Sequence, residues 1–313
     1  VLAVGLEFVG VSWHSRAMET APGPIARKLI AQVRGIKAQK VVDLLAWGEA
    51  KKQAKQTAEQ NQPSTEALDK VGPEFALYAY VNNWAISMVE LLQEVPDLRK
   101  YMQKFFEAQE EYMPEGPPMS PLTKSFFYQW AIYDLPIGLK RETMGSILLA
   151  IGRALKMDPE FLSLLQTLVR GRLGLYLHVG AKNETIVLKE LLTEVRHEAV
   201  CASGYVGTKG ELWLARVMPP PVGSRARAVV VTTPYLVLKP GVEEWLAYLN
   251  RTLPKTQRSD PREAHEYLMK FGLQPNYWPE YVFESYVNHR PDVIYVRGLP
   301  DVPESRPHSK ANS

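Results

Sequence analysis

One cysteine occurs in 313 residues, Cys201. An intrachain disulfide and a Cys-rich zinc site are therefore excluded, and a reducing, cytoplasmic setting is expected. No run approaches the roughly 18 apolar residues that a membrane-spanning helix needs, so no membrane partner is expected. Neither sign of charge dominates: 37 Lys and Arg stand against 34 Asp and Glu, a net of +3, which does not by itself imply nucleic acid. Internal repeats and low-complexity tracts are missing. So are a G-x-S-x-G elbow, a Walker loop and a G-x-G-x-x-G fingerprint, and no cofactor is implied. Residues 1–17 lack the basic n-region of a signal peptide, and residues 1–23 are expected to be a leader or disordered. The chain opens on Val1 and meets its first methionine at Met18, which leaves open an alternative start at Val1 or a start at Met18.

What is present is an ordinary globular composition, 46% apolar and 23% charged, over a length that suggests about two domains. The organising stretch is Leu173 to Leu238. Leu173, Leu175, Leu177 and Val179 alternate with Gly174, Tyr176 and His178, the period of a half-buried strand. Further strands are expected over Thr185 to Leu192, Val195 to Cys201, Glu211 to Met218, Ala226 to Thr233, Tyr235 to Leu238 and Val293 to Val296. Their close turn signals suggest one antiparallel sheet or a small barrel.

Helical spacing surrounds this stretch. Ile25 to about Gln60 predicts one long or broken helix, Glu74 to Val95 a second and Leu98 to Tyr112 a third. Prolines between Tyr112 and Pro121 mark a boundary near Gly116. Leu122 to Tyr133 and Thr143 to Leu155 follow, and Asp158-Pro159 and Asp260-Pro261 are caps with first-turn prolines. Tyr277 to Asn288 carries aromatics at helical steps, and Pro303 to Ser313 is expected to be a mobile tail. The expected class is α+β: a helical part over 24–116, then helices packed on a small antiparallel sheet or barrel over 117–302, with a helical C-terminal cap.

Candidate chemistry is sparse. His197-Glu-Ala-Val-Cys201 and His265-Glu-Tyr-Leu-Met269 begin like H-E-x-x-H but lack the second histidine, so no metal is expected. A two-ligand site completed by His178 is outweighed by ordinary strand roles. Gly207-Thr-Lys-Gly210 has residues suited to a phosphate nest, yet strands flank it and a hairpin loop is the simpler reading. Asp134, after an aromatic helix, is either a base or a structural carboxylate. Trp278, Tyr281, Tyr286 and Tyr295, with Arg290 and Arg297, suit either a base-stacking platform or a core. The better interaction signal is basic: Arg27, Lys28, Arg34, Lys37, Lys40, Lys51, Lys52 and Lys55 stand against Asp43, Glu49 and Glu59. A solvated helix surface is its plain alternative.

Three segments carry a resemblance. Phe127-Tyr-Gln-Trp130-Ala-Ile-Tyr133-Asp134 resembles an F-x-x-W-x-x-[FY]-D helix. Gly174-Leu-Tyr176 with Val187 to Leu192, and Gly210-Glu-Leu-Trp213-Leu-Ala-Arg216, resemble the strands that follow it. In this order they are similar to a group of poorly characterised bacterial proteins, many with a SEC-C zinc tail. The tail's cysteines are absent here, so the resemblance implies a helix-then-sheet arrangement and transfers no zinc and no site. The expectation is a non-enzymatic binding or scaffold protein, for a protein or nucleic-acid partner, that uses the basic helix and the sheet. The alternative is a hydrolase-type enzyme with a cleft near Asp134, His178 and His197.

Overall fold

The computed structural model describes residues 21–38, 73–92, 96–113, 120–220 and 227–309. Helices α1 (Pro24–Ala38), α2 (Pro73–Leu92), α3 (Pro96–Tyr112), α4 (Lys124–Tyr133), α5 (Met144–Ala154) and α6 (Pro159–Arg170) precede the strands. Then come β1 (Leu173–Lys182), β2 (Thr185–Glu190), β3 (Arg196–Cys201), β4 (Leu212–Met218), β5 (Ala228–Val230) and β6 (Tyr235–Lys239). Helices α7 (Val242–Thr252), α8 (Pro261–Phe271) and α9 (Tyr277–Ser285) lead to a last hairpin, β7 (Tyr286–Arg290) and β8 (Val293–Arg297). The α+β class is as the sequence suggests.

Local chemistry explains many of the boundaries. Asp158 accepts from the N–H groups of Glu160 and Phe161 at 2.9 and 3.0 Å, ahead of the first-turn Pro159 of α6. Asp260 does the same for α8, and Gly272, at φ +65°, ends it. The start of α1 is held from a distance: Glu142 accepts from the N–H groups of Ile25 and Ala26, each at 3.0 Å. The negative carboxylate thus meets the positive end of the helix. Gly23 allows this approach, because a Cβ there would lie 2.2 Å from the Glu142 carboxyl carbon.

The sheet has eight strands in the order β1-β2-β3-β5-β4-β6-β8-β7, and a further β1–β4 pairing closes β1, β2, β3, β5 and β4 into a five-stranded barrel. Trp213 of β4 faces Tyr176 of β1, and Val217 faces Val230 of β5. Pro234 cannot donate to a ladder, and the chain is interrupted there between β5 and β6, both of which pair with β4. Two pairings, β3–β5 and β6–β8, are parallel, so the sheet is mixed where an antiparallel one was expected.

All seven residues of β4 are buried. Trp213, Ala215 and Val217 face the barrel interior with Ile186, Leu188 and Val230. Leu212 and Leu214 pack under α4, α7, α8 and α9, against Trp130, Trp245, Leu249 and Trp278. Met218 joins a second outer layer with Leu29, Tyr78, Ile147 and Leu165 of α1, α2, α5 and α6. Helices from both sides of the expected boundary near Gly116 share this layer, and residues 114–119 lie outside the described set.

Several expectations are corrected. The strand expected to be half-buried is covered on both faces at Tyr176 and His178, which are 3% and 1% exposed, because barrel closure turns their face inward. The last helix ends at Ser285, and Tyr286 opens β7 instead of continuing it. The tail is fixed as far as Ser309: Arg306 pairs with the buried Glu284 at 2.8 Å, and the His308 N–H donates to the Glu284 carbonyl at 3.0 Å. That anchor is ionic, so a search for apolar anchors passes over it.

Trp213 and Leu214 are each fully buried, on opposite faces of β4. Either one replaced by alanine should therefore lower stability by about 3 kcal/mol or more through a cavity. Denaturant melts of both variants check this. A strand with only one buried face would leave one of them near wild type.

Candidate functional site

Arg216 occupies an outward position of β4 between Leu214 and Met218, where helices exclude water. A guanidinium there must be paired and hydrogen-bonded. Asp134, the C-cap of α4, supplies the carboxylate through Oδ2, and both side chains are 2% exposed. The other oxygen, Oδ1, accepts from Lys270 Nζ of α8 at 2.8 Å. Both cations also donate to the Gly171 carbonyl at 2.9 Å. Gly171 is the C-cap of α6, so that oxygen stands at the negative end of the helix dipole and helps offset the second positive charge. Burial lowers the Lys270 ammonium from its ordinary range, against the pull of Asp134. Burial likewise pushes the neighbouring Tyr133 phenol up.

The next residue, Arg172, extends the network. It makes a two-point contact with Glu266 of α8 at 2.7 and 2.8 Å and reaches Glu190 of β2 at 2.7 Å. Thr193 donates to the other Glu190 oxygen at 2.5 Å. Burial alone would raise the Glu190 carboxyl, but Arg172, His265 and these hydrogen bonds outweigh it and hold it at about 2. Burial, then Arg172, hold the His265 imidazole down at about 4. The Tyr176 ring leans back over Gly174, where a Cβ would lie 2.5 Å from its hydroxyl oxygen. Asp134, Glu190 and Arg216, drawn from the segments that carry the resemblance, thus belong to one charged layer joined by Gly171 and Arg172.

The residues proposed for a cleft, Asp134, His178 and His197, are each buried. Asp134 is fully engaged by its two cations. His178 lies inside the barrel against Trp213, with ring centroids 5.7 Å apart, and His197 meets the edge of Tyr176 at 5.8 Å. Cys201 shares β3 with His197, but no three His, Cys, Asp or Glu residues among the described ones are grouped to hold a metal ion. The Gly207–Gly210 loop is folded around a carboxylate of its own. Glu211 accepts from Tyr205, Thr208 and Trp213 at 3.0, 2.8 and 3.1 Å, which leaves an anion no place there. The aromatic set divides: Trp278 and Tyr281 are core, while Tyr286 and Tyr295 are half-buried on the last hairpin. Arg290 stacks over Tyr205 and Tyr295. On the basic helix, Arg27 and Lys28 are exposed while Ala26 and Leu29 are buried. Arg34 and Lys37 lie on the backbone of α1. Lys40, Lys51, Lys52 and Lys55 fall outside the described residues.

An opening of about 460 Å³ lies elsewhere, between α2 and α4. Phe75, Tyr78, Ala79, Asn82, Asn83, Ile86 and Glu90 line it from α2, and Lys124, Ser125, Tyr128 and Gln129 from α4. Its size suits a bound segment or small molecule. Gln129 is 4% exposed. Its Nε2 donates to Asn82 Oδ1 at 3.0 Å, which fixes the amide, and its Oε1 has no partner. Sequence reasoning passed over this site because Gln129 sits within an aromatic helix and Asn82-Asn83 within an apolar one. The apolar residues of α2 off its core stripe gave no pointer to it, since Tyr80 and Trp84 pack on Phe161 of α6 and do not line the groove.

Comparison with known protein families, with curated proteins and with solved structures finds no match to this chain.

Asp134→Ala should cost about 3–5 kcal/mol, because Arg216 is left as an uncompensated buried charge. The triple change Asp134→Leu, Arg216→Met, Lys270→Met should cost markedly less. Urea melts of the two variants, compared with wild type, measure the coupling, and equal losses would contradict it.

His265 and Glu190 both bind protons more weakly folded than unfolded, so acid favours the unfolded chain. Stability should fall as pH drops from 6.5, the ordinary histidine value, to about 4, by on the order of 3 kcal/mol at ~1.4 kcal/mol per unit. Glu190 adds to the loss below pH 4.5. Melts of His265→Leu across this range should lack the upper part of the slope. An unchanged profile would show that another group carries it.

Proposed function

We propose that this chain is a non-enzymatic binding protein whose partner, a protein, occupies the groove between α2 and α4. The observation that carries the reading is the open groove of about 460 Å³ between α2 and α4, lined by apolar Phe75, Ile86 and Tyr128 and by polar Asn82 and Gln129. The hydrolase alternative has less support. Both oxygens of Asp134 are bound by cations, and His178 and His197 are buried within the barrel wall. A cytoplasmic setting fits the single, buried thiol of Cys201. No helix among the described residues is long and apolar enough to cross a membrane.

Nucleic acid is the second reading. It rests on the exposure of Arg27 and Lys28 along α1, whose apolar side is turned to the core. If about four of the basic residues met phosphates, duplex DNA binding would weaken with a log–log salt slope of about −3.6.

Gln129→Leu removes an unmet acceptor but also the 3.0 Å bond to Asn82, so the two effects should offset and leave the melting temperature within a few degrees of wild type. Immobilised wild type, presented with a cytoplasmic extract, should retain a protein that both Gln129→Leu and Ala79→Arg lose. Equal retention by all three would sink the groove reading. Retention of nucleic acid that disappears with salt would move the assignment to α1.

A further inference from the structure

We infer that a second surface, where the turn at 138–141 meets α8, binds single-stranded nucleic acid, with Arg141 and Arg258 contacting phosphates beside the rings of Tyr267 and Phe271. This goes beyond the groove reading and does not rest on it. The two rings stand one helical turn apart on α8, both half-buried, with centroids 5.2 Å apart. The Arg141 guanidinium carbon lies 5.6 Å from the Tyr267 centroid and 5.9 Å from that of Phe271, and that of Arg258 lies 4.2 Å from Tyr267. Two exposed cations from separate turns thus converge on one phenol ring, whose face attracts them. Both turns are held tightly. The Ile137 N–H donates to the Glu142 carbonyl at 2.7 Å across the first, and Arg141 itself has φ +52°. Gln257, just before Arg258, has φ +58°. Residues with a side chain rarely take this left-handed backbone, and hold it where the surroundings impose it.

Like charges gathered on an exposed surface call for an anion. Among the described residues no carboxylate forms an ion pair with Arg141 or Arg258. Of the acids at this end of α8, Asp260 accepts from the Arg262 N–H and Glu266 is engaged by Arg172, which leaves Glu263. Lys140 and Lys255 are exposed on the same two turns. A guanidinium laid on a ring keeps its N–H edge free for two phosphate oxygens, and its other face can carry a base. Leu139, fully exposed at the tip of its turn, adds an apolar contact for such a base. Base faces are open in a single strand and closed in a duplex, which selects the single strand. A lipid surface fits less well. One leucine buries far less than an acyl chain, and one acyl chain alone holds a protein only marginally.

The probe is a fluorescein-labelled oligouridylate of twenty nucleotides, its anisotropy read on the full chain at physiological salt. Wild type should bind it, and the double change Arg141→Gln, Arg258→Gln should weaken binding at least tenfold. The same change should reduce the log–log salt slope by about 1.4, two phosphate contacts at ~0.7 each on a single strand. The double change Arg27→Gln, Lys28→Gln on α1 should bind like wild type, and this pair of variants also tells which surface holds any nucleic acid captured from an extract. An abasic phosphodiester of the same length keeps the charge and removes the bases, and wild type should bind it at least fivefold more weakly. That comparison needs no altered protein, so it decides the matter even if a variant folds poorly. No binding of oligouridylate, or equal binding of the abasic strand, would overturn the inference. So would a loss that follows the α1 change instead of the Arg141 and Arg258 change. Binding to phosphatidylserine-containing vesicles without binding to oligouridylate would overturn it too, and would give the surface to lipid.

Discussion

A buried arginine in a strand with no exposed side sets the terms for the rest of this structure. Every residue of β4 is covered, by the barrel on one face and by helices on the other. Arg216 can sit there only if a carboxylate and a carbonyl are delivered to it. Asp134 comes from the end of α4, the Gly171 oxygen from the end of α6, and Lys270 from α8. Three helix positions are thereby tied to one strand. Buried ion pairs are weak sources of net stability, and the plausible return on this one is a single arrangement of helices over the sheet. Because Arg172 follows Gly171 directly, the same junction also ties Glu190 of β2 and Glu266 of α8.

The groove inherits this arrangement. Helix α4 is shared between the two outer layers: Phe127 and Trp130 pack in one, Ile132 and Tyr133 in the other. Its remaining flank, with Ser125, Tyr128 and Gln129, faces α2. Asp134 pins the end of this helix five residues beyond Gln129, so the amide sits on a wall whose position is fixed by the ionic layer. A site held on rigid elements positions its polar groups better than one on loops. The charged layer and the groove thus stand in the relation of support and site, although no side chain of the layer lines the groove.

What the sequence made legible was local. Asp158-Pro159 and Asp260-Pro261 state their helix starts within four residues, and Gly272 states an end. Two-residue alternation located β1, but alternation reports two faces and not what covers them. The strand therefore read as half-buried, whereas Tyr176 and His178 are buried as well once β4 and β5 close the barrel. Parallel pairing of β3 with β5 depends on residues about thirty apart, and Asp134 finds Arg216 eighty-two residues later. No window of local pattern contains either fact. Tyr286 was drawn into a helix because its aromatic neighbours share helical spacing, whereas its pairing with Val296 of β8 decides its state. Asn82 and Gln129 were invisible for the same reason: each is an ordinary polar residue of its own helix and becomes a site only beside the other.

Unmet polar atoms are what separate a structural charge from a binding group in this molecule. Asp134 uses both oxygens on fixed cations, so nothing is left for a substrate. His178 has neither ring nitrogen hydrogen-bonded, yet it is 1% exposed inside the barrel against Trp213. Gln129 is nearly as buried and its Oε1 is also unpaired, but its side chain forms part of the lining of a groove. Position beside a groove, more than burial or charge, distinguishes these three. It points to an amide that ordinary motif reasoning never considers, because a glutamine carries no reactive chemistry of its own. Its place is geometric: one end is spent on Asn82 of the facing helix, and the side chain forms part of the groove wall between them.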